Sequence, residues 1–84
     1  MNVARAVEAL LIMATDPVPP ADLAAQLGVP EHDVVAELEQ LARFYQETER
    51  GFELRRVAGG WRLATAPDLA EVLEAAVVAE TRAR

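Results

Sequence analysis

Proline and glycine divide this 84-residue chain so finely that few folds remain open to it. Asp16-Pro17 and Pro19-Pro20 end whatever precedes them, because proline lacks an amide proton and forces the residue before it into an extended conformation. Gly28, Gly51, Gly59-Gly60 and Pro67 punctuate the rest. Between these breaks, Val3, Val7, Leu10, Leu11 and Ala14 recur at helical spacing, with Asn2 placed to cap them. A second helix spans "PADLAAQL", opened by Pro20, favoured by Asp22 near its positive end and closed by Gly28 at positive φ. A third begins at Pro30, with Val34, Leu38, Leu41 and Tyr45 on one face and Val35, Ala42 and Phe44 widening it. Val18, between the first two helices, is free to make a short extended contact.

The pattern then changes period. "FELRRVA" and "WRLAT" flank Gly59-Gly60, a two-residue hairpin signal. Pairing Ala58 with Trp61 puts Phe52, Leu54, Arg56, Ala58, Trp61 and Leu63 on one face, and Glu53, Arg55, Val57 and Arg62 on the other. Arg56 can then lay its guanidinium on the Trp61 ring. Thr65 and Pro67 lead into a last helix, with Asp68 in its first turn and an apolar face of Leu69, Val72, Leu73, Ala76 and Val77; "TRAR" reads as a frayed end. Three helices, a two-stranded wing and a C-terminal helix make a mainly α (α+β) winged helix-turn-helix in a single domain. Its expected core is Val7, Leu10, Leu11, Leu23, Leu27, Val34, Leu38, Leu41, Leu54 and Leu63.

The residue inventory argues against catalysis. The chain has no cysteine and no serine, and its one histidine, His32, sits between Glu31 and Asp33 in the first turn of a helix, without further ligands for a metal. Glu37 and Glu39, two apart on a helix, diverge. Gly59-Gly60 lacks the further glycines and the lysine of a phosphate loop. No enzyme activity, cofactor, metal or small-molecule substrate is expected. No apolar run approaches the ~18 residues of a membrane span, and no signal-peptide pattern opens the chain, so the expected compartment is the cytoplasm.

The charge pattern separates the remaining partners. The formal net charge is −6, yet residues 50–63 hold Arg50, Arg55, Arg56 and Arg62 against only Glu53. A winged helix reads the major groove with the outer side of its third helix. Here that stretch carries Glu31, Asp33, Glu37, Glu39, Glu47 and Glu49 against Arg43, which repels a phosphate backbone. A DNA-binding regulator using Arg55, Arg56 and Arg62 on its wing is the alternative reading. A protein partner suits the surface better. The candidate interface residues are Trp61 at the wing, where a tip tryptophan has few intramolecular neighbours, and Leu69, Val72, Leu73 and Val77 on the last helix; the alternatives are that Trp61 folds back over Leu54 and the third helix, and that the last helix packs into the core.

Several strings together resemble the segregation and condensation protein B (ScpB) family. They are "EALL" in the first helix, "DPVPPADLAAQLGV", the acidic third helix, and "GFELRRVAGGWRLATAP" with its Gly-Phe-x-Leu strand and Thr-x-Pro exit. The likeness runs from Val7 to Leu73. It implies two tandem winged-helix domains, of which this chain is the N-terminal one and the second is absent. It also implies a non-enzymatic subunit that forms a homodimer, largely through N-terminal domains, and binds the kleisin ScpA, chiefly with the second domain. Through ScpA the subunit joins the SMC complex for chromosome condensation and segregation, and so the nucleoid. Pro19 departs from the family's frequent Ser or Thr cap, loosening the second helix by about 1 kcal/mol.

Overall fold

Asn2 fixes the first residues: its side-chain oxygen accepts the Arg5 amide at 3.2 Å, and α1 runs Val3–Met13 from that cap. The computed structural model describes residues 1–82. Helix α2 spans Pro20–Leu27 and α3 spans Glu31–Glu47. Gly28 joins them in the left-handed region, with its amide returning to the Ala24 carbonyl at 2.8 Å. Pro19 sits at the N-cap of α2 and supplies no side-chain hydrogen bond there, as its chemistry requires. Strands β1 (Phe52–Val57) and β2 (Gly60–Thr65) form the antiparallel wing. A 3₁₀ turn at Pro67–Leu69, entered from Ala66 and not from Thr65, leads into α4, Ala70–Arg82. Of "TRAR", Thr81 and Arg82 continue the helix, and the remaining two residues lie outside the described ones. This is the expected winged helix-turn-helix.

Three helices and the wing bury one core: Val7 and Leu11 from α1, Leu23 and Ala24 from α2, Val34, Leu38, Leu41 and Tyr45 from α3, Leu54 and Trp61 from the wing. Leu10, Leu27 and Leu63, expected inside, pack at its margin, while Ala24, Tyr45 and Trp61 take interior places. Tyr45 explains its own burial. Its hydroxyl donates to the Glu8 carboxylate at 2.5 Å, tying α3 to α1, and its ring meets Phe52 edge-on at 4.8 Å.

Burial first, then the hydrogen bond to Glu8 and its negative charge, hold the Tyr45 phenol well above its ordinary value of 10. An unfolded phenol ionises near 10, so this group's stabilisation is complete below that pH and is lost as pH rises towards the folded value. Tyr45 is the only tyrosine. Phenolate absorbance is therefore expected to appear above pH 10 together with the loss of helical circular dichroism. Ionisation near pH 10 with the helices intact would show that the phenol is not held in this way.

The hairpin register differs from the expected one. Val57 pairs with Gly60 and Arg56 with Trp61, so the turn residues are Ala58 and Gly59, with φ of 48° and 79°. Two successive positive φ values make the tight turn whose twist matches the strands, normally Asn-Gly. The faces survive this change, because moving the turn by one position moves the partner by two. Leu54, Arg56, Trp61 and Leu63 still share a side. Ala58 carries the strain of the left-handed region. Ala58→Asn, which creates Asn-Gly, is expected to raise stability by about 0.5–1 kcal/mol, read as a higher urea midpoint at unchanged slope.

Val18 makes the extended contact its position allowed. Its amide donates to the Trp61 carbonyl at 2.8 Å, and its carbonyl accepts the Trp61 amide at 2.9 Å. The α1–α2 connection thus forms a one-residue third strand on the free edge of β2.

Candidate partner interface

The outer side of α3 meets solvent with carboxylates. Glu31 and Asp33 occupy its first turn, where they complement the helix dipole and occupy the place a phosphate would need. Glu39 and Glu47 are exposed beyond them, and Glu37 is half-buried. His32 is exposed and pairs with Asp33 at 3.2 Å. Among the described residues no cluster of three or more His, Cys, Asp or Glu side chains could hold a metal ion, and no helix is long and apolar enough to cross a membrane.

Two of the three wing arginines are held within the wing. The Arg55 Nε donates to Glu53 at 2.5 Å, and its Nη2 reaches the Thr65 carbonyl at 3.4 Å. The Arg56 guanidinium lies 5.5 Å from the centroid of the Trp61 ring. Arg62 faces Arg55 across the strand pair, like charge opposite like charge, which costs the hairpin stability. Arg50 turns back over Phe44 at 5.7 Å and bonds Thr48.

Trp61 does not stand at an exposed wing tip. It is 7% exposed and belongs to the core. The register explains this: with the turn at Ala58-Gly59, Trp61 sits one step inside β2, clasped by Val18 on one edge and Arg56 on the other. Its burial removes it from the surfaces this chain offers a partner.

The last helix is the opposite case. No residue of α4 is buried. Val72 and Val77 are 65% and 62% exposed, and Leu73 and Val78 are also open to solvent. Leu69 alone of the expected group is anchored, its Cδ1 lying 3.5 Å from where a Cβ on Gly51 would stand. A second apolar surface went unread in the sequence. Ile12, 74% exposed, lines a shallow groove with Phe52, Leu63, Ala64 and Thr65 between the end of α1 and the base of the wing. Its signal was the run Leu10-Leu11-Ile12-Met13, too long for one helix face to bury.

Together these surfaces leave the molecule extended. The chain exposes 6040 Å², about 1,100 Å² more than the ~4,900 Å² of a compact monomer of 9.1 kDa. Its radius of gyration is 14.9 Å, against about 12 Å for a compact 84-residue domain.

Comparison with known proteins decides the family. The model of the family "Segregation and condensation complex subunit ScpB" matches residues 5–84. This chain belongs to that family. Segregation and condensation protein B of Moorella thermoacetica is 42% identical over 74 residues, 88% of this chain and 38% of that protein. The corresponding protein of Symbiobacterium thermophilum is 34% identical over 67 residues, 80% of this chain and 31% of that one. The chain thus spans well under half the length of these ScpB relatives. The crystal structure of ScpB from Mycobacterium tuberculosis superposes with a TM-score of 0.90 at 30% identity, over 94% of this chain and 49% of that one. A dimer of an ScpB N-terminal domain complexed with ScpA peptide superposes with a TM-score of 0.80 at 35% identity, over 84% of this chain and 89% of that one. In that protein an N-terminal domain is complexed with ScpA peptide.

Proposed function

We propose that this chain is the N-terminal winged-helix domain of a non-enzymatic, two-domain ScpB subunit. It forms a homodimer, holds a segment of the kleisin ScpA and, through ScpA, takes part in the SMC complex that condenses and segregates the chromosome. Its compartment is the cytoplasm, at the nucleoid. The observation that carries this reading is the superposition on an N-terminal domain that is itself a dimer complexed with ScpA peptide. The surface chemistry supports it: carboxylates occupy the groove-reading side of α3, two wing arginines are engaged internally, and apolar side chains are exposed on α4 and beside α1.

A fluorescein-labelled ScpA peptide titrated with the chain tests the kleisin reading. Saturable binding with a Kd in the micromolar range or tighter is expected; a flat anisotropy curve up to the solubility limit would overturn it. A labelled DNA duplex, titrated in parallel at 50 and 200 mM salt, tests the regulator reading. No saturation is expected at either salt. Sub-micromolar binding with a steep salt slope would assign the wing arginines to phosphate instead.

A further inference from the structure

We infer that α4 is a conditional helix: in the single free chain it exchanges between helix and coil beyond its root, while α1–α3 and the wing stay folded. The inference concerns the free chain and does not require the homodimer reading.

Short helices persist in proteins because packing supports them; alone, a helix below about 12–15 residues is marginal in water. Helix α1 has 11 residues and α2 has 8, and each is held by what it buries. Val7 and Leu11 anchor the first, Leu23 and Ala24 the second. Helix α4 has 13 residues and buries none of them. Its own sequence only partly replaces that support. Its alanines favour the helix, and Glu71 in the first turn and Arg82 in the last suit the dipole. Val72, Val77, Val78 and Thr81 act the other way, because β-branched side chains lose rotamer freedom in a helix. The Thr81 hydroxyl also donates back to the Val77 carbonyl at 3.0 Å, a bond that tends to weaken a helix. These opposed terms leave the helix–coil balance near even.

The root of α4 is different. Ala66 is buried, and its amide donates to the Gly51 carbonyl at 2.9 Å. The Leu69 amide donates to the Ala66 carbonyl at 3.1 Å, and Leu69 Cδ1 lies 3.5 Å from where a Cβ on Gly51 would stand. The 3₁₀ turn Pro67–Leu69 is therefore a fixed first turn on which α4 grows without a separate nucleation step. Order is lost from the far end towards Ala70. Opening this segment breaks few contacts, so it is far easier than unfolding the core. The end of the domain thus changes state while the body that carries it does not.

Hydrogen exchange read by mass spectrometry tests this on the full chain, at a concentration where sedimentation shows single chains. Amides of residues 72–82 are expected to exchange within about tenfold of the unstructured rate, fastest at the far end, and those of α1 and α3 at least about 100-fold more slowly. Two exposed positions off the apolar stripe tune the balance. Helical periodicity puts Val78 on the side of Glu71 and Glu74, away from Val72, Leu73 and Ala76. Val78→Ala is expected to raise α4 protection about two- to threefold, and Ala79→Gly to abolish what remains, both with the thermal unfolding of the core unchanged. A glutamate-specific protease gives a second readout. It is expected to cut after Glu71 or Glu74 well before Glu39, which is equally open to solvent but lies on the supported helix α3. Protection of residues 72–82 equal to that of α1 in the single chain would overturn the inference. So would cleavage at Glu39 as fast as at Glu71 and Glu74.

Discussion

Trp61→Ala is expected to cost about 3–5 kcal/mol, a large share of what an 84-residue domain possesses. Three losses add. The indole vacates the junction of the wing with the helical core, where Leu54 and Leu63 share its face of the sheet. Arg56 loses the ring beneath its guanidinium, about 0.5–1 kcal/mol at a partly exposed site. The two hydrogen bonds between Val18 and Trp61 are main-chain and survive the substitution on paper, but they lose the side chain that shields them. The melting temperature should fall by roughly 15–30 °C. Circular dichroism in a urea series is the right probe, because the variant has no tryptophan to report fluorescence. Had Trp61 been a partner-facing tip, the same substitution would leave unfolding at low concentration unchanged and weaken only association. Near-native unfolding would therefore return the residue to the surface and break the packing described for the wing. Trp61→Phe keeps most of the volume and is expected to lose about half as much.

How much of this was legible in the sequence depends on whether the physics was local. Pro20, Gly28 and Pro30 set helix ends through their own backbone limits, and those ends are where the chain puts them. The spacing of Val34, Leu38, Leu41 and Tyr45 gave the buried side of α3 correctly, because a helix has one period. Alternation also gave the two faces of the wing. It could not give the depth of Trp61, which depends on Val18, forty-three positions away in the chain and adjacent only after folding. The turn was ambiguous because Gly59 and Gly60 each suit positive φ, and nothing local favoured the strained Ala58 over the second glycine. The candidate interface was half legible. A stripe on α4 could be read from its period, but whether anything in the chain lay against it could not. Ile12 fell off the stripe of α1, and only the assembled groove gives it meaning.

The second glycine of the wing has a different task, and Gly60→Ala exposes it. A Cβ there would stand 2.9 Å from the Pro17 carbonyl carbon, 2.9 Å from the Val18 nitrogen and 3.0 Å from the Pro17 Cβ. None of these can swing aside: two are main-chain atoms and the third belongs to a ring. The methyl must therefore push the α1–α2 connection off the edge of β2. That strains the paired Val18–Trp61 hydrogen bonds, each worth about 1 kcal/mol, and adds about 1–3 kcal/mol of overpacking. A loss of about 2–4 kcal/mol is expected, with a red-shifted Trp61 emission as the indole is levered towards solvent. Gly59→Ala is the matched control. Gly59 has φ of 79° but open space around its Cβ position, so it should cost only the left-handed penalty of about 1–2 kcal/mol and leave the emission unchanged. Two adjacent glycines are thus required for separate reasons, one for conformation and one for room. Equal costs with identical spectra would show that both act through the turn alone, and that the contact between Pro17-Val18 and β2 contributes nothing to holding the wing.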